Sequence, residues 1–90
     1  NNIYVPNVFS PNGDGVNDRF QIFYEGVNSM IVEIYSRWGE LVYHSNTIGQ
    51  FWDGQFMGIP CNPGTYVYLI KGQFQNGESF ELAGDITLIR

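Results

Sequence analysis

Cysteine, histidine and basic residues are all scarce in this 90-residue sequence. A single cysteine, Cys61, leaves no intrachain disulfide, so packing and hydrogen bonds alone must hold the fold. It does not set the redox compartment, because a secreted domain can lack disulfides. Cys61 together with the one histidine, His44, falls short of the ligand set of a zinc site. Four Lys plus Arg stand against nine Asp plus Glu, a net charge of −5 that repels phosphate backbones and anionic lipid surfaces. Nucleic acid is therefore excluded as a partner. Long apolar runs are missing too: the longest is Tyr66–Ile70, whereas a membrane-crossing helix needs roughly 20 residues, so direct insertion as a helix is not expected. The opening Asn1-Asn2-Ile3 has neither an initiator Met nor a signal-peptide pattern, and reads as the interior of a longer protein.

What is present points to a folded domain. Hydrophobic residues make up 43% and aromatics 17%, too many core formers for a disordered segment. The length fits one domain, residues 1–90, which buries roughly 60–65% of its surface on folding. Apolar residues recur with period two, which sends alternate side chains to opposite faces of a strand. Ile3–Val8 reads as an extended edge segment, since Pro6 cannot donate a ladder hydrogen bond. Phe20, Ile22 and Tyr24 mark a second strand, and Met30, Val32 and Ile34 share a face of a third. Trp38-Gly39 connects that strand to Glu40–His44 as a hairpin. Phe51-Trp52 ends at Asp53-Gly54, and Gly58, Pro60, Pro63 and Gly64 mark a loop before Thr65–Phe74. Asn76-Gly77 is the strongest hairpin signal and joins that run to Glu78–Ile89, with a bend expected at Gly84. About seven short strands without a helical period predict an all-β, immunoglobulin-like antiparallel β-sandwich.

One stretch stands apart. "FSPNGDGVND", residues 9–18, packs Asn, Asp, Gly and Pro between β-forming runs. Calcium loops place carboxylates or amides at alternate positions around a sharp glycine turn, and Asn12, Asp14, the Val16 carbonyl and Asp18 match the middle of that spacing. The usual last ligand is missing, because Gln21 stands at the position of the bidentate Glu, and Ser10 stands at the first. The other reading needs no ion: Asn and Asp side chains bond nearby amides while Gly13 and Gly15 supply left-handed turns. No other cofactor is indicated.

Trp38 and Trp52 raise a second question, because an exposed Trp can stack on a sugar ring. In a small sandwich both indoles are expected in the core instead, with their N–H groups satisfied. A nucleophile needs a base within reach, and nothing in the spacing pairs His44 with Ser36, Ser45 or Cys61. A polar loop does not separate the acidities of Asp14 and Asp18 as an acid/base pair requires. No catalytic residue is assigned.

"VPNVFSPNGDGVND" at 5–18, "IYSRWGELVY" at 34–43, "WDG" at 52–54, "PGTYVYLI" at 63–70 and "ITLIR" at 86–90 resemble, in that order, the gliding-motility-associated C-terminal domain. This is the type B C-terminal domain of cargo proteins of the type IX secretion system of Bacteroidota. Ser36 replaces a usual Asn and Gln55 a frequent Thr. The resemblance implies a non-catalytic C-terminal sorting signal that ends a large secreted or cell-surface protein, such as an adhesin. It implies an N-terminal passenger, and as partners the outer-membrane translocon and its shuttle or accessory barrel proteins. The route runs through the periplasm and outer membrane to the cell surface or beyond. The surfaces expected to be read are the loop of Asn12, Gly13, Asp14, Gly15, Asn17 and Asp18, the turn Arg37, Trp38, Gly39 and Glu40, and the last strand, Thr87, Leu88, Ile89 and Arg90. A free terminal edge would pair by strand addition. The alternative is an adhesive, carbohydrate-binding or spacer domain.

Overall fold

The structure, a computed structural model, describes residues 2–13, 15 and 18–90. Its elements are β1 (Asn2–Tyr4), β2 (Val8–Phe9), β3 (Phe20–Gln21), β4 (Phe23–Glu25), β5 (Val27–Ser36), β6 (Leu41–Ser45), β7 (Phe51–Trp52), β8 (Gln55–Phe56), β9 (Ile59–Pro60), β10 (Gly64–Phe74) and β11 (Ser79–Leu88). No helix occurs among the described residues, and the fold is all-β as the period-two pattern requires.

One five-stranded sheet, in the order β2-β11-β10-β5-β6, carries the domain, and three two-stranded ribbons, β1-β4, β3-β7 and β8-β9, complete it. Alternation along the long strands sends Met30, Val32, Ile34, Tyr66, Ile70, Ile86 and Leu88 to one buried face. Ile70 lies opposite Val32 on one side and Leu82 on the other, so adjacent strands meet apolar to apolar. Burying each large aliphatic side chain contributes about 1.5–3 kcal/mol. Phe9, Phe20 and Trp52, from short strands, enter the same core. Their rings form a chain: Phe20 is 6.2 Å from Phe9, Phe9 is 5.4 Å from Trp52, and Trp52 is 5.3 Å from Tyr66.

Three expectations need correction. Among the described residues eleven strands replace about seven, because single apolar runs are shared between ribbons. The chain from Phe20 changes partner at Ile22: Phe20 pairs with Trp52, while Tyr24 pairs with Ile3. The pairing is not wholly antiparallel either, since β2 runs parallel to β11 with Val8 opposite Thr87 and Phe9 opposite Leu88. Burial of Phe9 against Trp52 holds β2 there. Finally, β11 runs through Gly84 without a break, and a side chain at that position would meet the Tyr68 hydroxyl at 2.6 Å.

The two long hairpins close with the same geometry. At Ser36–Glu40 the Gly39 amide donates to the Ser36 carbonyl at 2.9 Å and the Ser36 amide to the Glu40 carbonyl at 2.8 Å; Phe74–Glu78 repeats both bonds at 3.0 and 2.8 Å. Gly39 and Gly77 take the left-handed position, at φ 89° and 91°. Beyond the first turn, β6 holds an extra residue, Val42, between the Ile34–Tyr43 and Tyr35–Leu41 pairs. Val42, the extra residue of that bulge, is buried.

Candidate functional site

Trp38 sits at the tip of the β5–β6 hairpin and is 86% exposed, whereas Trp52 is 1% exposed. The expectation that both indoles pack inside therefore holds for Trp52 alone. Trp52 finds an N–H acceptor in the Gln55 carbonyl at 2.9 Å. Trp38 cannot turn inward, because it occupies the turn itself and its neighbours lock that turn: the Ser36 hydroxyl accepts from the Trp38 and Glu40 amides, both at 3.2 Å. The Arg37 guanidinium lies 5.4 Å from the Trp38 ring centroid, a cation–π contact that steadies the indole in solvent.

Beside Trp38 opens a groove of about 580 Å³. Arg37, Trp38 and Glu40 line it from the β5–β6 turn and Ile59–Tyr66 from the segment that runs from β9 into β10, and Val42 and Phe56 add apolar surface. The far wall is built by two short connections. Met57 and Gly58 join β8 to β9 with φ values of 55° and 81°, the mirror-image turn that two-residue hairpins favour. The Tyr66 hydroxyl then donates to the Asn62 carbonyl at 2.7 Å and ties the start of β10 to the loop before it. Met57 and Ile59 remain 85% and 68% exposed, so apolar surface continues beyond the groove. Sequence reasoning passed over Phe56, Met57 and Ile59, and took Pro60 as a loop marker where the structure places it in β9. The signal was there, an apolar pair flanking a Met-Gly turn, but period two does not distinguish a turn that projects outward from one that packs.

The last residues meet this wall from behind. The Arg90 guanidinium donates from Nε to the Cys61 carbonyl at 3.0 Å and from Nη2 to the Gly54 carbonyl at 2.9 Å. The Cys61 amide also donates to the Gly54 carbonyl, at 2.8 Å. Burial pushes the Cys61 thiol above its ordinary range; the Tyr66 hydroxyl and Arg90 draw it back, while Glu40 and Asp53 push the same way as burial. The expected free edge is not found at Thr87 and Leu88. They lie between β10 and β2, and the Thr87 and Ile89 amides donate to the Asn7 and Phe9 carbonyls at 2.9 and 3.0 Å. The parallel pairing of β2 covers the edge at Thr87 and Leu88, while Ser79–Ile86 pair with β10 alone.

In the loop of residues 9–18, Asp18 accepts from the Gly13 amide at 3.0 Å through one oxygen and from the Gly15 amide at 2.8 Å through the other. The carboxylate thereby closes the loop on its own backbone. Asn12 and Gly13 are exposed; Asp14, Val16 and Asn17 lie outside the described residues, and with them two of the four expected calcium ligands, Asp14 and the Val16 carbonyl. Among the described residues no cluster of His, Cys, Asp and Glu has the size of a metal site. His44 is exposed on β6, paired across the sheet with Glu33.

The geometry combines a β core, the solvent-facing indole of Trp38, and a groove tied through Cys61 to Arg90. The sequence matches the CHU_C type IX secretion signal domain over residues 3–88, and the chain belongs to that family. No curated protein matches it. Membership makes the chain a signal for the type IX secretion system, with that machinery as its partner and export to the cell surface or extracellular space as its consequence.

Proposed function

We propose that this domain is the non-catalytic C-terminal sorting signal of a larger passenger, such as an adhesin, and that the outer-membrane translocon or its shuttle and accessory barrel proteins read it as a folded surface. The exposed indole of Trp38 carries this reading. A small domain that leaves Trp38 86% exposed while burying Trp52 forgoes core stabilisation at Trp38, and Trp and Arg are the residues most enriched where protein interfaces concentrate their binding energy. Arg37, Trp38, Gly39 and Glu40 with the facing groove form the centre of the surface. Arg90 reaches this surface through the Cys61 carbonyl, while the loop around Gly13, Gly15 and Asp18 belongs to a separate depression with Pro6, Val8 and Phe23 and would be read as a second patch. Because Thr87 and Leu88 are already paired on both sides, this segment offers a partner its side chains and not a free strand edge.

The test is a fluorescent reporter carrying residues 1–90 at its carboxyl end in a host with a working type IX system. The unsubstituted fusion reaches the medium or cell surface, and Trp38→Ala holds it inside at equal expression. Retention of the unsubstituted fusion would refute the export role, and free export of Trp38→Ala would refute the surface.

A second reading has one observation in its favour. An exposed indole beside the Asn62 and Thr65 side chains is also suited to stacking a sugar ring. Glycan binding abolished by Trp38→Ala, together with unimpaired export, would favour an adhesive domain.

A further inference from the structure

Three sequence motifs far apart in the chain meet at one point beneath the groove. Pro11 comes from the loop of residues 9–18, Gly54 closes the "WDG" stretch, and Leu88 and Arg90 end the chain. A Cβ built on Gly54 would stand 3.1 Å from Pro11 Cγ, 3.4 Å from Arg90 Nη2 and 3.5 Å from Leu88 Cδ1, so the glycine's missing side chain is the space in which the others converge. Gly54 itself has φ 81°, which turns its carbonyl toward both the Cys61 amide and the Arg90 guanidinium.

We propose that Arg90 is the positioning residue of the recognition groove, acting through the Gly54 and Cys61 carbonyls. Its planar guanidinium reaches two carbonyls at once, which a compact ammonium cannot do with the same geometry. Cys61 is the link: its carbonyl is held by Arg90, its amide by Gly54, and it lines the groove together with Asn62, Pro63 and Tyr66. The wall facing Trp38 is thus fixed from the far end of the chain. Loss of Arg90 leaves the indole in place but frees the surface opposite it. The residues after Leu88 then matter for recognition because they brace this wall. The cellular part of this inference rests on the export reading; the structural part does not.

Amide hydrogen exchange tests the structural part on the 90-residue chain. In Arg90→Ala the Cys61 amide exchanges roughly tenfold faster or more, while Ile34 and Ile70, at the centre of the sheet, keep their protection. Arg90→Lys, which keeps one carbonyl contact, falls between. Lys71→Ala, which removes an exposed ion pair to Glu81 on the opposite face, changes neither. Unchanged exchange at Cys61, or equal acceleration at Ile70, would overturn the inference, the second outcome because it marks a general loss of stability. If Arg90→Ala does not fold, the comparison is made on Arg90→Lys, whose Cys61 amide alone exchanges faster.

The reporter fusion tests the link to recognition. Arg90→Ala is retained in the cell at a melting temperature near that of the unsubstituted domain, and Arg90→Lys restores part of the export. Full export of Arg90→Ala would sever Arg90 from recognition. Retention of the unsubstituted fusion would instead overturn the export reading and leave the exchange result standing.

Discussion

Trp52 and Tyr66 meet edge to face at 5.3 Å, one from a two-residue strand and the other from the start of the longest strand in the domain. The contact fastens a short ribbon onto the five-stranded sheet. The same indole donates its N–H to the Gln55 carbonyl, so it anchors the loop that leads to the groove. Trp52→Phe keeps most of the buried area but leaves that carbonyl without its donor, and we expect a loss of about 2 kcal/mol in urea unfolding. Trp52→Ala, at about 3–5 kcal/mol, approaches the whole stability of a domain this small and should leave little folded protein at 37 °C.

Trp38→Ala is expected to behave in the opposite way. Its ring is exposed, so the unfolding midpoint should correspond to a change within about 0.5 kcal/mol, measured by the same urea titration. A large loss of stability would mean that the indole supports the fold after all.

Met57 is the only described non-glycine residue with a positive φ, at 55°. The left-handed conformation costs an L-residue about 1–2 kcal/mol, and Asn tolerates it better than Met because its short amide bonds locally. Met57→Asn should therefore raise stability by about 0.5–1 kcal/mol, seen as a melting temperature several degrees higher. A fall would show that the exposed Met57 side chain contributes packing that the fold needs.

The Asp18 clamp can be separated from calcium. Asp18→Ala removes the acceptor of the Gly13 and Gly15 amides and should cost about 1–2 kcal/mol, measured by thermal unfolding in the presence of a chelator, where no ion contributes. If the unsubstituted domain melts at the same temperature with calcium and with chelator, the loop holds itself. A rise with calcium that Asp18→Ala abolishes would revive the metal reading.

Alkaline pH should weaken the fold through its buried acids. Burial raises the Cys61 thiol above 9.0 and the Tyr43 and Tyr66 hydroxyls above 10.0. A group whose native pKa lies above its unfolded value stabilises the fold below the unfolded pKa, and that contribution disappears as pH climbs through the native one. Urea midpoints should hold steady to about pH 8.5 and then decline. Cys61→Ala should shift the start of the decline upward, because the tyrosines titrate later.

The parts of the fold legible in the sequence are those governed by neighbours along the chain. Met30, Val32 and Ile34 alternate in sequence and share one buried face, and Asn76-Gly77 closes the hairpin expected of it. Partner choice was not legible. Nothing in Phe20-Gln21-Ile22-Phe23-Tyr24 says that the run divides between β7 and β1, or that Val8 and Phe9 run parallel to the final strand. Of the recognition surface, "RWGE" was visible as a turn. Its facing wall was not, because Phe56, Ile59 and Cys61 come together with Trp38 only after the strands have paired.

The linear order of residues determined an all-β chain of net charge −5, and an ordered set of motifs that placed it among type IX secretion signals. Those properties depend on composition, on alternation and on local turn chemistry, which any segment carries by itself. Tertiary structure decided which tryptophan faces water, that the last two residues of the final strand are paired on both sides, and that Arg90 reaches back to Gly54 across 36 positions. Such outcomes depend on which surfaces the chain buries against each other, a competition among distant segments that has no counterpart in local sequence.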